Sequence, residues 1–396
     1  LFFFTQKPEY AILSGLVGSE MCIRDRMGID MSAAFDTIKR STVLSLLSDA
    51  GCTKDEIRLV RVLLANTKLR IRVNATLSDE FETFVGAFQG DALSGSLFTL
   101  SLAGSLYHLR AVLSDLGRPN PPISIDGMPQ ESEYADDVDF MDEDSANLYN
   151  MFPICKNILS EWNLNVNNDK TEHVHVHLAQ KSDVDSKGQP LAKNEEWRIS
   201  KLLGSKLCST KDILNRIQLG NVAFANFKKV WLQKDNISLD RKLLIYEAQV
   251  VSVIMYNACS WAAPKHILEK LDTCHRRHLR YILNYRWPNI ISNVNLYKRC
   301  NDCKPLTARV EEARWRMFGH ILRSAENTPA QTALSFALEG ASMHKSRRGR
   351  HQINLFNVLK GDLDKRGLLL KDIDDLFNLR ILAKDRLLWK EYYDKV

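Results

Sequence analysis

The sequence predicts an α+β unit followed by an all-helical region. Up to about residue 178, short segments in which apolar and polar residues alternate are separated by helical patterns, as expected of strands packed on helices. Beyond Leu202 the apolar residues recur at helical spacing, which predicts helices. The 396 residues suffice for two or three domains, and the composition is ordinary for a globular protein.

The sequence after about residue 27 predicts a clear order of strands and helices. Residues 14–26 have neither strand nor helix periodicity and resemble a junction of foreign origin, so we leave 1–27 unassigned. We expect, in order, a strand end at Asp30, a helix to about Ala50, a helix over 54–65, a hairpin of 68–74 and 81–88, a helix to about Leu113, a hairpin at 133–140, a helix over 145–162 and a strand over 173–178.

The stretch 133–140 contains two adjacent acids, Asp136 and Asp137. Neighbouring side chains of a regular strand point to opposite faces, so both carboxylates can serve one site only where the chain turns tightly. Tyr134 and Val138 supply apolar flanks for such a turn. We therefore predict a β-hairpin that presents the acid pair at its tip.

The surroundings of this pair are strongly acidic. Residues 126–144 contain nine Asp and Glu and no Lys or Arg, so the local field favours a metal ion or a basic partner. An acidic solvated loop is the alternative. An EF-hand is excluded because the required Gly and the loop-closing Glu are missing after Asp137.

The predicted helices lie at about 212–232, 240–258, 264–284, 305–324 and 328–338, and further helices follow the basic run 345–350. Residues 264–323 carry 13 Lys and Arg against 5 Asp and Glu, a net charge of +8, whereas the whole chain carries +6. This distribution suits a protein that binds a polyanion along its helical region. Near the C-terminus, Trp389, Tyr392 and Tyr393 are expected to close a small core.

Two other groups of residues have a spacing that is compatible with a metal site. Cys300 and Cys303 form a C-x-x-C with Cys274, His275 and His278 upstream, but no second close cysteine pair has zinc-finger spacing. Histidines 173, 175 and 177 alternate onto one strand face, which also suits a polar face towards solvent. The eight scattered cysteines are expected to be reduced, and no segment is apolar enough to predict a membrane span.

Five segments in order resemble the motifs of non-LTR retrotransposon (LINE-type) reverse transcriptases. They are GIDMSAAFDT (28–37), FQGDALSGSLF (88–98), YADD (134–137), NNDKT (167–171) and the primer-grip run KLLGSKL (201–207). The likeness continues more loosely through WRMFGHILR (315–323) and RRGR (347–350). Ala92 and Gly95 stand where two prolines are common in the second motif.

The resemblance implies a reverse-transcriptase palm, an antiparallel sheet with packed helices, over 28–200. A primer grip and helical thumb over 201–290 and a basic helical C-terminal region over 291–396 would follow. It implies RNA-directed DNA polymerase activity, a nucleotidyl transfer that needs two Mg²⁺ ions, with Mn²⁺ as a possible substitute. Asp30, Asp136 and Asp137 would be the metal ligands, and Asp36 would be structural.

The resemblance also implies roles for other residues. Lys170 would protonate the leaving pyrophosphate as a general acid. Phe35 would exclude a 2′-hydroxyl, with a core aromatic as the alternative, while Gln89 and Gly90 would contact the nucleotide. Leu203 and Gly204 would belong to the primer grip. Nucleic-acid contacts are expected from four arginines, Arg276, Arg277, Arg280 and Arg286. The alternative is that these arginines form a helix face that only contacts solvent.

The expected partners are an RNA template, a DNA primer and deoxynucleoside triphosphates, within an element ribonucleoprotein of the nucleus and cytoplasm. Related enzymes bind the triphosphate with a basic fingers region ahead of the first motif. The 29 residues before Asp30 contain three basic residues, so we expect a fragment that binds primer–template better than it extends it. The alternatives are a non-catalytic RNA-binding remnant and a structural protein that keeps the palm fold. Oligomeric state is left open.

Overall fold

The computed structural model describes residues 25–74, 76–88, 90–117, 131–142, 145–174, 200–232, 236–325, 328–343 and 353–394. These residues fall into two compact units. We call the described residues from 25 to 174 the sheet unit and those from 200 to 394 the helical unit.

The strands of the sheet unit are β1 (Asp25–Ile29), β2 (Met31–Ser32), β3 (Thr67–Leu69), β4 (Arg72–Val73), β5 (Thr76–Leu77), β6 (Phe81–Thr83), β7 (Glu131–Tyr134), β8 (Asp137–Asp142), β9 (Asn165–Val166) and β10 (Glu172–Val174). They form one four-stranded antiparallel sheet in the order β10-β1-β8-β7 and three two-stranded pairs, β2–β9, β3–β6 and β4–β5. β1 begins within the stretch 1–27 that the sequence left unassigned.

Among its described residues, the sheet unit also has helices whose apolar residues share one core with the apolar face of this sheet. They are α1 (Ala34–Thr37), α2 (Arg40–Asp49), α3 (Lys54–Leu64), α4 (Ser94–Asp115) and α5 (Ser145–Glu161). Met27 and Ile29 of β1 and Val138 and Phe140 of β8 are buried, since side chains alternate along a strand and these positions share one face. α5 packs on β1 and β8, and α4 packs on α5, so one core joins the sheet to its helices.

Two predicted elements of the sheet unit differ in the structure. The helix expected up to Ala50 is broken at Ile38 and Lys39, which are extended, because the Ile38 carbonyl accepts a hydrogen bond from Gly86 N. The hairpin of 68–88 is two nested ladders of shorter strands. The interruption lies where the Ser78 hydroxyl, and not a backbone carbonyl, accepts the hydrogen bond of Ile71 N.

The helical unit begins with one small hairpin, β11 (Lys201–Leu202) and β12 (Ser205–Lys206). Its helices are α6 (Ser209–Asn226), α7 (Lys228–Leu232), α8 (Leu239–Tyr246), α9 (Ser252–Ile254), α10 (Lys265–Ile282), α11 (Asn293–Arg299), α12 (Leu306–Arg323), α13 (Pro329–Met343), α14 (Leu355–Asp364), α15 (Ile373–Lys384) and α16 (Arg386–Asp394). A π-helical turn, Glu247–Val251, joins α8 to α9. The predicted fold class, α+β followed by helices, is confirmed. No helix among the described residues combines the length and apolarity that crossing a membrane requires.

The helical unit contains two hydrophobic cores. The first surrounds Tyr246 and Trp261, which are almost fully buried. In the second, the Trp315 and Trp389 rings stack at 4.2 Å, and each indole N–H donates to the backbone carbonyl of the other residue. Tyr392 and Tyr393 pack against this second core, which confirms the predicted aromatic closure at the C-terminus.

His278 in the first core gives the helical unit a predictable response to acid. The imidazole is buried, stacks on Phe224 with ring centroids 4.0 Å apart, and its burial lowers its pKa to about 3. Because the pKa is about 6.5 in the unfolded chain, the stability contribution of neutral His278 is complete above pH 6.5 and is lost progressively as the pH falls towards 3. At pH 5 we expect a loss of about 2 kcal/mol.

Urea unfolding of the wild type and of His278→Phe at pH 7 and pH 5 tests this expectation. Phenylalanine keeps the ring stack and does not titrate, so the variant should lose less stability between the two pH values. An equal loss in both proteins would show that His278 does not carry the effect.

Candidate active site

The acid pair lies at the tip of the β7–β8 hairpin. Tyr134 pairs with Asp137, which leaves Ala135 and Asp136 as a two-residue turn. Ala135 has a φ of 53°, the left-handed conformation that tight hairpin turns require. The predicted hairpin is confirmed, and its turn places the carboxylates of consecutive residues at one end of the sheet.

Asp30 lies at the same end of the sheet. β1 and β8 pair with Ile29 opposite Val138, so Asp30 leaves β1 where Asp137 enters β8. Partial desolvation of the Asp137 carboxylate raises its pKa, and the negative charges of Asp136 and Asp30 raise it further. The structure thus brings the three predicted metal ligands together. Within the described ranges, however, no three His, Cys, Asp or Glu side chains are arranged to hold a metal ion. The aspartates are neighbours and not a preformed metal cage.

The turn that carries Lys170 lies against Asp30. Asn167 N donates a hydrogen bond of 2.8 Å to the Asp30 carbonyl, and Lys170 Nζ lies 3.6 Å from Asp30 Oδ2. The pairing of β2 with β9 holds this turn in place, since Met31 is opposite Val166. The fourth sequence motif therefore contacts the first through both backbone and side chain.

Phe35 belongs to the core of the sheet unit and lies close to the acidic end of β1. It is half-buried, and its ring stacks on Phe98 of α4 with centroids 4.6 Å apart. Its carbonyl accepts a hydrogen bond of 2.8 Å from Ala87 N. The two interpretations of Phe35, core aromatic and nucleotide contact, are thus compatible, because one face of the ring packs on Phe98 while the residue stays partly exposed.

Replacing Phe35 separates these two roles. If the ring excludes a 2′-hydroxyl, Phe35→Ala should raise ribonucleotide incorporation relative to deoxynucleotide incorporation by roughly tenfold or more, equivalent to about 1.4 kcal/mol. The loss of the Phe98 contact should also lower the free energy of unfolding by about 3 kcal/mol. Phe98→Leu is the matched control, since it disturbs the same stack from the other side. A change of stability without a change of sugar discrimination would leave Phe35 as a core residue only.

Of the two residues predicted to contact the nucleotide, Gln89 and Gly90, the structure describes only Gly90. Gln89 lies outside the described residues. Gly90 is exposed with a φ of 96°, a conformation that favours glycine. A close backbone approach within the protein is found at Gly86, where an added Cβ would lie 2.6 Å from the Asp36 carbonyl oxygen.

Arg40 positions the segment that leads to Gly90, a role that the sequence analysis missed. Its guanidinium donates to four backbone carbonyls, those of Leu64, Thr83, Val85 and Gly86, at 2.7 to 3.1 Å. It also donates to the Thr83 hydroxyl. No local pattern signals these contacts, because the partners lie 24 to 46 residues further along the chain.

An ion pair lies next to Asp137, because Asp137 and Asp139 point to the same face of β8. Arg26 Nη2 is 2.6 Å from Asp139 Oδ1, and burial raises the pKa of Asp139 to about 6 although Arg26 opposes this rise. An added Cβ at Gly28 would lie 2.8 Å from Arg26 Nη2. Glycine at position 28 therefore leaves room for the pair beside Asp30.

In the helical unit, the two predicted primer-grip residues form the β11–β12 turn. Leu203 and Gly204 both have positive φ, as in the two-residue turns that fit twisted hairpins. Tyr256 Oη donates to the Leu203 carbonyl at 2.9 Å, and Arg216 Nη2 donates to the Gly204 carbonyl at 2.5 Å. The turn is fixed from both sides.

The four predicted nucleic-acid-binding arginines have protein contacts of different kinds. Arg276 donates to Thr273 Oγ1 at 3.2 Å, and Arg277 donates to Asn221 Oδ1 at 2.7 Å. Arg280 donates to Asn293 Oδ1 at 2.7 Å. Arg286 is exposed, with its guanidinium carbon 5.2 Å from the centre of the Tyr281 ring.

The structure does not support the zinc hypothesis. Cys303 Sγ lies 3.9 Å from His275 Nε2 and Cys274 Sγ lies 3.7 Å from His278 Nε2, but the part of the chain that the structure describes holds no group of three metal-ligating side chains. All the described cysteines are free. Of the alternating histidines, His173 stacks on Tyr149 at 4.8 Å, while residues 175 and 177 lie outside the described residues.

Comparison with solved structures finds telomerases at low similarity. Telomerase from Candida tropicalis, in complex with a TWJ fragment of telomeric RNA, is 12% identical with a TM-score of 0.34 over 83% of this chain and 51% of that chain. The Candida albicans complex is 12% identical with a TM-score of 0.34 over 86% and 52%, and apo Candida tropicalis telomerase is 11% identical with a TM-score of 0.34 over 85% and 53%. The chain thus spans about half the length of these telomerases, and at this similarity the matches assign it no function or partner.

Comparison of the sequence gives a more specific result. No curated protein matches it. A family described as reverse transcriptase (RNA-dependent DNA polymerase) matches residues 26–207. This span contains Asp30, Asp136, Asp137 and Lys170, and it ends at the last residue of the primer-grip run. Residues 26–207, just under half of the chain, are therefore similar to the reverse transcriptase family.

Proposed function

We propose that this chain is part of a non-LTR retrotransposon reverse transcriptase that extends a DNA primer on an RNA template with deoxynucleoside triphosphates. The observation that carries the proposal is the meeting of Asp30, Asp136 and Asp137 with Lys170 at one end of the sheet, inside the residues similar to the reverse transcriptase family. Such an enzyme would work as a ribonucleoprotein in the nucleus and cytoplasm.

The three aspartates suit magnesium, with manganese as a possible substitute. Carboxylate oxygens are the ligands that Mg²⁺ prefers, and the repulsion that raises the pKa of Asp137 is the kind that a bound cation offsets. When bound, a pair of such ions would supply the charge that activates the primer hydroxyl and stabilises the leaving pyrophosphate. Asp30 and Asp136 would hold both ions, with Asp137 as a supporting ligand.

Lys170 is assigned as the proton donor to the leaving pyrophosphate. Its ammonium group is anchored by Asp30 Oδ2 at 3.6 Å, yet 68% of its side chain is exposed. The ammonium therefore stays beside the carboxylates while it remains accessible to a bound triphosphate. In this position Lys170 Nζ holds the proton until the bond to the pyrophosphate breaks.

The nucleotide would be bounded by Phe35 and the 86–90 segment. The Phe35 ring restricts the space for a sugar hydroxyl, and Gln89 and Gly90 contribute polar groups and accessible backbone. The β11–β12 turn, with Leu203 and Gly204 at its tip, is assigned to the primer strand because its fixed backbone offers a rigid support.

A non-catalytic nucleic-acid-binding remnant is the second candidate. The observation in its favour is the basic stretch 273–300, which contains six Lys and Arg and no Asp or Glu. This stretch would bind phosphates whether or not the sheet unit turns over nucleotides.

Primer extension tests the two candidates together. The chain is mixed with an RNA template, an annealed DNA primer and the four deoxynucleoside triphosphates, with Mg²⁺ or with a chelator, and binding to the same duplex is measured in parallel. Mg²⁺-dependent extension supports the polymerase. Tight binding without extension favours the remnant, and absence of both supports a structural role.

A further inference from the structure

An exposed aromatic side chain stands on a short loop of the helical unit. The loop, residues 283–292, connects α10 to α11, and we call it the Trp287 loop. Trp287 is 90% exposed and Ile290 is 87% exposed. Exposing two large apolar side chains on one short loop costs hydration free energy that folding does not recover, which is typical of a binding surface.

The Trp287 loop is braced at both ends. Tyr285 N donates to the Arg280 carbonyl at 2.8 Å, and the Arg280 guanidinium donates to Asn293 Oδ1 at 2.7 Å. Arg299 Nη1 donates to Tyr285 Oη at 2.5 Å. Two of the basic residues of this region are thus used to fix the loop. A braced loop loses little conformational entropy on binding, so its exposed indole is preorganised for a ligand.

The charge around the loop identifies the kind of ligand. Residues 273–300 contain six Lys and Arg and no acid, and Arg286 adjoins Trp287 in the chain. The Arg286 guanidinium lies over the Tyr281 ring, so this exposed cation of the loop is held against the end of α10. An aromatic platform within a chain segment that carries cations and no acid fits a nucleobase with its phosphate.

We propose that Trp287 stacks on an unpaired nucleobase of a bound nucleic acid strand, with Arg286 against an adjacent phosphate. The proposal deepens the proposed function and rests on it in one respect, that nucleic acid is the ligand. It assigns Arg280 and Arg299 to positioning of the loop and Trp287 and Arg286 to contact with the strand.

The test measures binding of a labelled single-stranded RNA and of its abasic analogue to the full chain. Stacking of one base is worth about 1–3 kcal/mol, so Trp287→Ala should weaken binding of the intact strand about 5- to 150-fold. Trp287→Phe keeps an aromatic face and should retain most of the affinity. Binding of the abasic strand should be nearly equal for the wild type and Trp287→Ala. Arg286→Gln should reduce the salt dependence of binding by about 0.7 in the log–log slope.

Ile290→Ala is the matched control, because it removes an equally exposed apolar side chain that has no aromatic face. If Ile290→Ala weakens binding as much as Trp287→Ala, or if Trp287→Ala acts equally on intact and abasic strands, the loop is an apolar surface for a protein partner and the proposal is wrong. Primer extension distinguishes this failure from failure of the proposed function. A base-dependent effect of Trp287 without extension would refute the polymerase alone, whereas extension with no Trp287 effect would refute the stacking alone.

Discussion

Asp136→Asn is expected to abolish primer extension while leaving duplex binding almost unchanged. The substitution keeps the size and shape of the side chain at the hairpin tip but removes one of the charges that meet there with Asp30 and Asp137. Charge stabilisation at such a site is worth several kcal/mol, so extension should fall by roughly a thousandfold, equivalent to about 4 kcal/mol. Affinity for the duplex should change by less than about twofold, since a carboxylate is not expected to bind a phosphate group.

Asp49→Asn is the control for this substitution, because Asp49 is an exposed carboxylate at the end of α2. It should leave extension unchanged. Stability gives a second check, since the negative charge of Asp136 raises the pKa of Asp137. A raised folded-state pKa means that ionisation of Asp137 disfavours folding at neutral pH, so removing the Asp136 charge should preserve or raise the thermal midpoint. Extension by Asp136→Asn at the wild-type rate would refute the metal-ligand assignment.

Arg40→Met is expected to produce the largest loss of stability among exposed or half-buried positions of the sheet unit. The methionine fills similar volume but leaves the carbonyls of Leu64, Thr83, Val85 and Gly86 without this donor. Charge-assisted hydrogen bonds are worth more than neutral ones, and Arg40 makes several of them, so we expect a loss of about 3 kcal/mol in urea unfolding. The segment that leads to Gly90 should also lose its fixed position, which raises the KM for the nucleotide.

Arg40→Lys separates the geometry of this residue from its charge. Lysine keeps the positive charge but cannot reach carbonyls in several directions with a planar fork, so it should recover only a small part of the stability. Arg58→Met, on the exposed side of α3, is the matched control and should change little. If Arg40→Lys were as stable as the wild type, the charge and not the hydrogen-bond geometry would explain the effect of Arg40.

The hairpin that presents Asp136 and Asp137 can be predicted from the sequence because it depends on neighbouring residues only. Two consecutive acids between apolar flanks permit few backbone arrangements, and the register of β7 and β8 has the predicted turn. Asp30 was identified in the same way, as an acid at the end of a buried strand. The helices were found from their apolar period, with ends that differ from the observed ends by a few residues.

The features that the sequence did not reveal depend on contacts between distant residues. Nothing near Arg40 shows that its partners are carbonyls of a later segment, and nothing near Gly86 shows that the Asp36 backbone will approach it. The break at Ile38 has the same origin, because its carbonyl bonds to Gly86 N instead of continuing a helix. Tertiary hydrogen bonds override helix propensity at that position.

The ion pair of Lys170 and Asp30 is weak, so the Asp30 carboxylate can exchange this lysine for another cation. At 3.6 Å, with two thirds of the lysine side chain in solvent, the pair is worth no more than about 1 kcal/mol. Lys170 is therefore a weakly bound counterion of Asp30, which another cation can displace. It offsets the charge of Asp30 in the absence of another cation and would give way to a more strongly bound cation at little cost. Because the lysine is tethered by the Asn167 turn, it stays within reach when it is displaced.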